Sequence, residues 1–165
     1  MDRLSQIIST IEKNPGIKFR EIMRETGMKN GVLSHYTRKL EEKGVIVVER
    51  SPRRSRYYPH GISKNESMLI ATLRQETPRN ILLALIDEQS LMFKDIVKKV
   101  KRSQSTVSLY LTQLVQDDIV ESKFVNLKRI FQIKDREPLQ ETINKYHPDL
   151  LAKSADHVAD IFSSL

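Results

Sequence analysis

The sequence predicts a mainly α fold with small β-hairpins, an α+β class, built from two tandem copies of one unit that are joined by a helix and followed by a C-terminal helix. Three observations predict it. The chain overlays on itself without a gap from about Leu4 to Val47 at a constant offset, Ile7 onto Ile81 and Leu40 onto Leu114. Apolar residues in each copy recur at helical spacing. Short β-branched and aromatic runs, separated by turn residues, follow each set of helices.

In the first copy Leu4, Ile7, Ile8 and Ile11 have the i, i+3, i+4, i+7 spacing of a helix with one buried stripe, which Asn14-Pro15-Gly16 ends. Phe19, Ile22 and Met23 mark a short second helix stopped at Gly27. A third carries Leu33, Thr37 and Leu40 inward until Gly44. Val45 to Val48 and Tyr57-Tyr58, either side of Ser51-Pro52-Arg53-Arg54-Ser55, read as a two-stranded hairpin. The second copy repeats the order with helices over 78–88, 93–100 and 105–115 and strands near 119–124 and 130–133. Between the copies, Ser63-x-x-Glu66 has the form of a capping box that opens a linker helix. The boundaries are therefore 1–62 for the first domain, 63–76 for the linker, 77–136 for the second domain and 137–165 for a helical tail.

Composition narrows the chemistry. Lys and Arg number 28 against 21 Asp and Glu, a net charge of +7 that favours a polyanionic partner. The first 66 residues carry +6, residues 67–136 carry +4 and the tail carries −3, so the first domain is expected to dominate. The absence of cysteine removes disulfides, thiolate metal sites and thiol redox chemistry. No P-loop, G-x-G-x-x-G or H-E-x-x-H motif occurs, and the histidines (35, 60, 147, 157) are scattered, so neither catalysis nor a bound metal or cofactor is expected. No apolar run is long enough to cross a membrane and no export signal is visible, which gives the expectation of a cytoplasmic, nucleoid-associated protein.

Asn14-Pro-Gly-Ile-Lys-Phe-Arg-Glu-Ile, Gly27-Met-Lys-Asn-Gly-Val-Leu-Ser-His-Tyr, Arg38-Lys-Leu-Glu-Glu-Lys-Gly-Val-Ile and Ser103-Gln-Ser-Thr-Val-Ser-Leu-Tyr-Leu resemble the winged helix-turn-helix regulators of the MarR and ArsR type. The whole chain is similar to archaeal-type tandem winged-helix transcriptional regulators. The resemblance implies two winged helix-turn-helix domains and binding to double-stranded DNA. The second copy departs from it at Lys101, where the first has Gly27, and at Asp117-Asp118.

The residues support that implication independently. If Leu33, Thr37 and Leu40 face inward, the opposite face of the helix over 30–43 presents Asn30, Ser34, His35 and Arg38 for base readout in a major groove. Lys29 with Arg53, Arg54 and Arg56 of the wing over 51–57 is expected to hold phosphates. The bland alternative is a solvated helix face and a solvated turn. In the second domain the corresponding face, Gln104, Ser105, Ser108, Leu109 and Thr112, has no cation and the wing offers Lys128 and Arg129, so a weaker, assisting contact is expected, with Lys98, Lys99, Lys101 and Arg102 near phosphates. Leu109 on an exposed face instead suits a protein contact. Leu151, Ala155, Val158, Phe162 and Leu165 follow an a/d spacing that serves either a homodimer or packing on the chain itself. The rival functions are a tandem winged-helix protein-interaction scaffold and a nonspecific chromatin protein. The sequence identifies no small-molecule effector.

Overall fold

The computed structural model describes residues 1–146. Two compact units emerge among them, one from Met1–Ala71 with residues 142–146, the other from Thr72–Glu141. The tail's a/d stripe and His157 lie outside the described residues.

In the first unit α1 (Arg3–Lys13) starts where the Asp2 carboxylate accepts the Ser5 N–H at 2.7 Å, and its apolar stripe buries Ile7 and Ile11 completely. A two-residue strand β1 (Ile17–Lys18) leads into α2 (Phe19–Thr26), which ends on Gly27 at φ 71°, a left-handed position where a side chain is strained. Then come α3 (Asn30–Glu42), β2 (Ile46–Ser51) and β3 (Arg54–Pro59). Leu33, Thr37 and Leu40 are buried on α3, as the spacing predicts, against Ile7, Ile11, Ile22, Ile46 and Tyr57. The sheet has three strands rather than the two predicted, in the order β1-β3-β2, so β3 is central. The linker helix α4 (Lys64–Leu73) opens on Ser63, whose hydroxyl accepts the Glu66 N–H at 3.1 Å. Within this unit the fully buried Tyr58 donates its hydroxyl to the Ser67 carbonyl at 3.1 Å.

The second unit repeats the design with α5 (Glu76–Asp87), β4 (Ser90–Met92), α6 (Phe93–Val100), α7 (Gln104–Gln116), β5 (Val120–Val125) and β6 (Lys128–Ile133), the sheet order being β4-β6-β5. From α2 through β3 every element boundary recurs in the second unit at the offset that takes Ile7 to Ile81, so the duplication runs through the wing, to Pro59 and Ile133. The helix ends agree even where the residue does not. Lys101 (φ 58°) and Asp118 (φ 61°) adopt the left-handed conformation of their counterparts Gly27 and Gly44. A last helix α8 (Arg136–Tyr146) starts in this unit, where the Arg136 guanidinium donates to the carbonyls of Leu85 and Ile86 at 2.7 and 3.1 Å. Its final residues are counted with the first unit, and there Tyr146 donates to Glu66 at 2.8 Å. No described helix is long and apolar enough to cross a membrane.

Candidate nucleic-acid interface

Burying Leu33, Thr37 and Leu40 fixes the rotation of α3, because residues three and four apart share a face. Asn30, His35 and Arg38 consequently stand exposed on the other side. Ser34 is half-buried and its hydroxyl donates to Asn30 Oδ1 at 3.3 Å, so these two act as one polar group. The His35 ring meets Tyr36 edge-on with centroids 5.3 Å apart, which orients the imidazole. Lys29, the residue before the helix, is exposed.

The wing tip is Pro52-Arg53 between the paired residues Ser51 and Arg54, held by the Ser51 hydroxyl donating to the Arg54 carbonyl at 3.0 Å. Arg53 and Arg54 are exposed and carry no ion pair among the described residues. Arg56 is a correction. Predicted as a phosphate contact, it is buried to 6% exposure, and its guanidinium donates to the Gly16 carbonyl at 2.9 Å. The third strand is the cause: β1 pairs Lys18 with Arg56, so this arginine is flanked on both sides while Arg54 lies beyond the reach of β1. Burial holds its guanidinium below the ordinary arginine value.

One contact escaped the sequence. Arg50 of β2 meets Glu41 of α3 in a two-pronged ion pair, at 2.9 and 2.6 Å, which clamps the wing to the helix bearing the exposed polar face. The Arg50 hydrogen bonds hold the Glu41 carboxyl below its usual value, and Glu41 raises Arg50 in turn. The available signal was the facing placement of Glu41 at a helix end and Arg50 in the following strand.

In the second unit α7 is capped by Ser103, whose hydroxyl accepts the Thr106 N–H at 3.2 Å, and it exposes Gln104, Ser105, Ser108, Leu109 and Thr112 together. This is the face predicted, and it is uncharged. Of the four cations ahead of it, two are occupied: Lys99 pairs with Glu88 at 2.8 Å and Arg102 with Glu76 at 3.0 Å. On the wing Lys128 is exposed, while the Arg129 guanidinium lies 4.9 Å from the centre of the Phe131 ring and donates to Ser122 at 3.3 Å. No cluster of three or more metal-ligating side chains occurs among the described residues.

Comparison with known proteins agrees with this geometry. Residues 2–47 match the family described as winged helix-turn-helix DNA-binding, and residues 75–122 match the bacterial regulatory protein, arsR family. Both families consist of DNA-binding or regulatory proteins, not enzymes. No curated protein matches by sequence. Among solved structures, HlyU from Vibrio cholerae is 20% identical with a TM-score of 0.42, over 49% of this chain and 90% of that one. Streptococcus pneumoniae FabT, solved in complex with DNA, is 20% identical with a TM-score of 0.31, over 69% of this chain and 73% of that one. The DIP2311 protein of Corynebacterium diphtheriae is 13% identical with a TM-score of 0.32, over 79% of this chain and 26% of that one.

Proposed function

We propose that this chain, a tandem winged helix-turn-helix protein of the DNA-binding transcription-regulator class, reads duplex DNA chiefly through its first domain. Helix α3 enters the major groove, where Asn30 with Ser34, His35 and Arg38 meet base edges; Lys29, Arg53 and Arg54 hold the flanking phosphates. The observation that carries this is the exposure of that polar helix face in the same domain as a wing tipped by two exposed arginines, which form no ion pair among the described residues. The Glu41–Arg50 clamp supports it, because a helix and wing fixed to each other keep base and phosphate contacts in register. The second domain assists weakly through Gln104, Ser105, Ser108, Thr112, Lys128 and Arg129, since neutral donors add contacts but little attraction to a polyanion.

Selection of bound fragments from random duplexes, followed by salt titration of the winner, tests the proposal. A recovered consensus with a log–log salt slope of about −3, from three phosphate-holding cations at roughly 0.9 each, is expected. Binding without enrichment means a nonspecific chromatin protein. No binding at micromolar protein in about 0.1 M salt means a protein scaffold, because nonspecific DNA affinity alone reaches roughly micromolar.

A further inference from the structure

Six large apolar side chains are exposed among the described residues, and three of them, Phe124 (76%), Val125 (48%) and Leu127 (99%), crowd the end of the second wing. The first wing ends on arginines instead, since the repeat sets Leu127 against Arg53 and Lys128 against Arg54. Backbone geometry adds to the anomaly. Asn126 and Leu127 form a two-residue hairpin turn with φ 51° and 66°, a turn that favours asparagine at its first position and glycine at its second. A left-handed leucine in open water satisfies neither backbone preference nor hydrophobic burial, and conformational outliers of this kind collect where a ligand is met.

Shape and charge around the tip identify what it meets. Strand β4 pairs with β6 only as far as Ile130, so beyond that residue the wing is a bare two-stranded ribbon, Phe124 against Arg129 and Val125 against Lys128. Three residues of strand at about 3.3 Å each reach roughly 10 Å, enough for the floor of a minor groove about 7.5 Å deep. Strand alternation puts Arg129 on one face of this ribbon and Lys128 on the other, both exposed, and no acidic residue occurs from Ser122 to Lys134. An apolar protein surface would cover one face, whereas a groove has a phosphate wall on each side. Arg129 also borders an open cleft with Ser108 and Thr112 of α7, so helix face and wing face the same space, and those hydroxyls suit base edges and not lipid.

We propose that the second wing is an apolar wedge, which places Leu127 between two base pairs from the minor groove and kinks the duplex there. Asn126, Lys128 and Arg129 supply the polar groups that accompany such wedges, and the kink widens a groove otherwise about 6 Å across. Pyrimidine–purine steps unstack most easily, so the wedge selects TA or CA steps without a hydrogen bond to them. The second domain thus adds specificity through deformation, where the first adds it through base contacts. The inference rests on duplex-DNA binding by the chain, which the affinity of the complex reports separately from the kink.

The test binds the full chain to the duplex recovered by selection, with 2-aminopurine placed in turn at each adenine, and to circularly permuted copies of the site that report bending by gel mobility. Wild type should brighten 2-aminopurine at one step, bend the duplex by about 20–90°, and lose on the order of tenfold in affinity when that step is changed to AA. Leu127→Gly, which suits the left-handed turn and should not lower Tm, should still bind yet lose the brightening, the bend and the preference for the step. Leu127→Met should keep all three. Binding without brightening or bending at any position, or a kink that survives Leu127→Gly, would overturn the wedge while leaving DNA recognition by the chain standing. No binding to any duplex at micromolar protein removes both. Leu127-dependent sedimentation with phosphatidylglycerol vesicles, with the shape of bound DNA unaffected by the substitution, assigns the tip to a lipid surface and likewise overturns the wedge.

Discussion

Arg56→Ala separates the two arginine roles in the first wing. The substitution removes a charge-assisted hydrogen bond to Gly16, 2.9 Å long and buried, and leaves that carbonyl without the guanidinium. A hydrogen bond from a charged group contributes about 1.5–3 kcal/mol, and the lost alkyl packing of the side chain adds to it. For a domain of this size each kcal/mol moves Tm by roughly 4–8 °C, so a loss of about 2–3 kcal/mol lowers the transition by on the order of 10–20 °C. Differential scanning calorimetry measures that, and salt titration of DNA binding at a temperature where the variant is folded measures the other half. The slope should be unchanged, because a guanidinium turned onto Gly16 holds no phosphate. An Arg56→Ala protein with wild-type Tm and a salt slope shallower by about one contact would refute the assignment.

Further outcomes follow from the same geometry. Arg54→Ala should leave the unfolding free energy within about 0.5 kcal/mol of wild type, as exposed substitutions do, yet flatten the salt slope by about 0.9. Asn30→Ala or His35→Ala should cost about 1–3 kcal/mol on the selected sequence and almost nothing on random duplex, read by competition binding. Glu41→Gln should remove about 0.5–1 kcal/mol at neutral pH, a discounted figure because Arg50 is 61% exposed. Since Arg50 lowers the folded-state value of Glu41, this contribution is complete above the ordinary carboxylate range and is lost as pH falls through the lowered value, so variant and wild-type Tm should converge in acid. Leu33→Ala, at a site with no exposure, should cost about 2–5 kcal/mol by urea denaturation.

The helices were legible because their signal is periodic: one missing apolar residue among Leu4, Ile7, Ile8 and Ile11 would still leave a stripe. The strand β1 was not, since two residues, Ile17 and Lys18, have no period to detect. That small omission had a large consequence, for it turned β3 from a central strand into an edge and Arg56 from an internal tie into a free cation. The Glu41–Arg50 clamp was missed for a related reason. Each residue taken alone is an ordinary surface charge, and only the hairpin's return against α3 brings them within 2.6 Å. Arg53, Arg54, Asn30, His35 and Arg38 needed only the turn and the helix face, and their exposure is as the sequence predicts.

The two domains also explain why the fold of the second was easier to read than its purpose. The apolar core positions keep their chemistry across the duplication, Ile7 with Ile81, Leu33 with Val107 and Leu40 with Leu114, because each is fully or almost fully buried and a polar substitute there would leave an unsatisfied group. Backbone geometry is kept as well, even at the strain of a left-handed Lys101 and Asp118. Outward positions obey no such constraint. His35 to Leu109, Arg53 to Leu127 and Arg50 to Phe124 leave the helix and hairpin intact while reversing what the surface attracts. Folding constrains one face of each element and partners constrain the other, so a repeat detected through its core carries no information about whether its second copy still meets the first copy's partner.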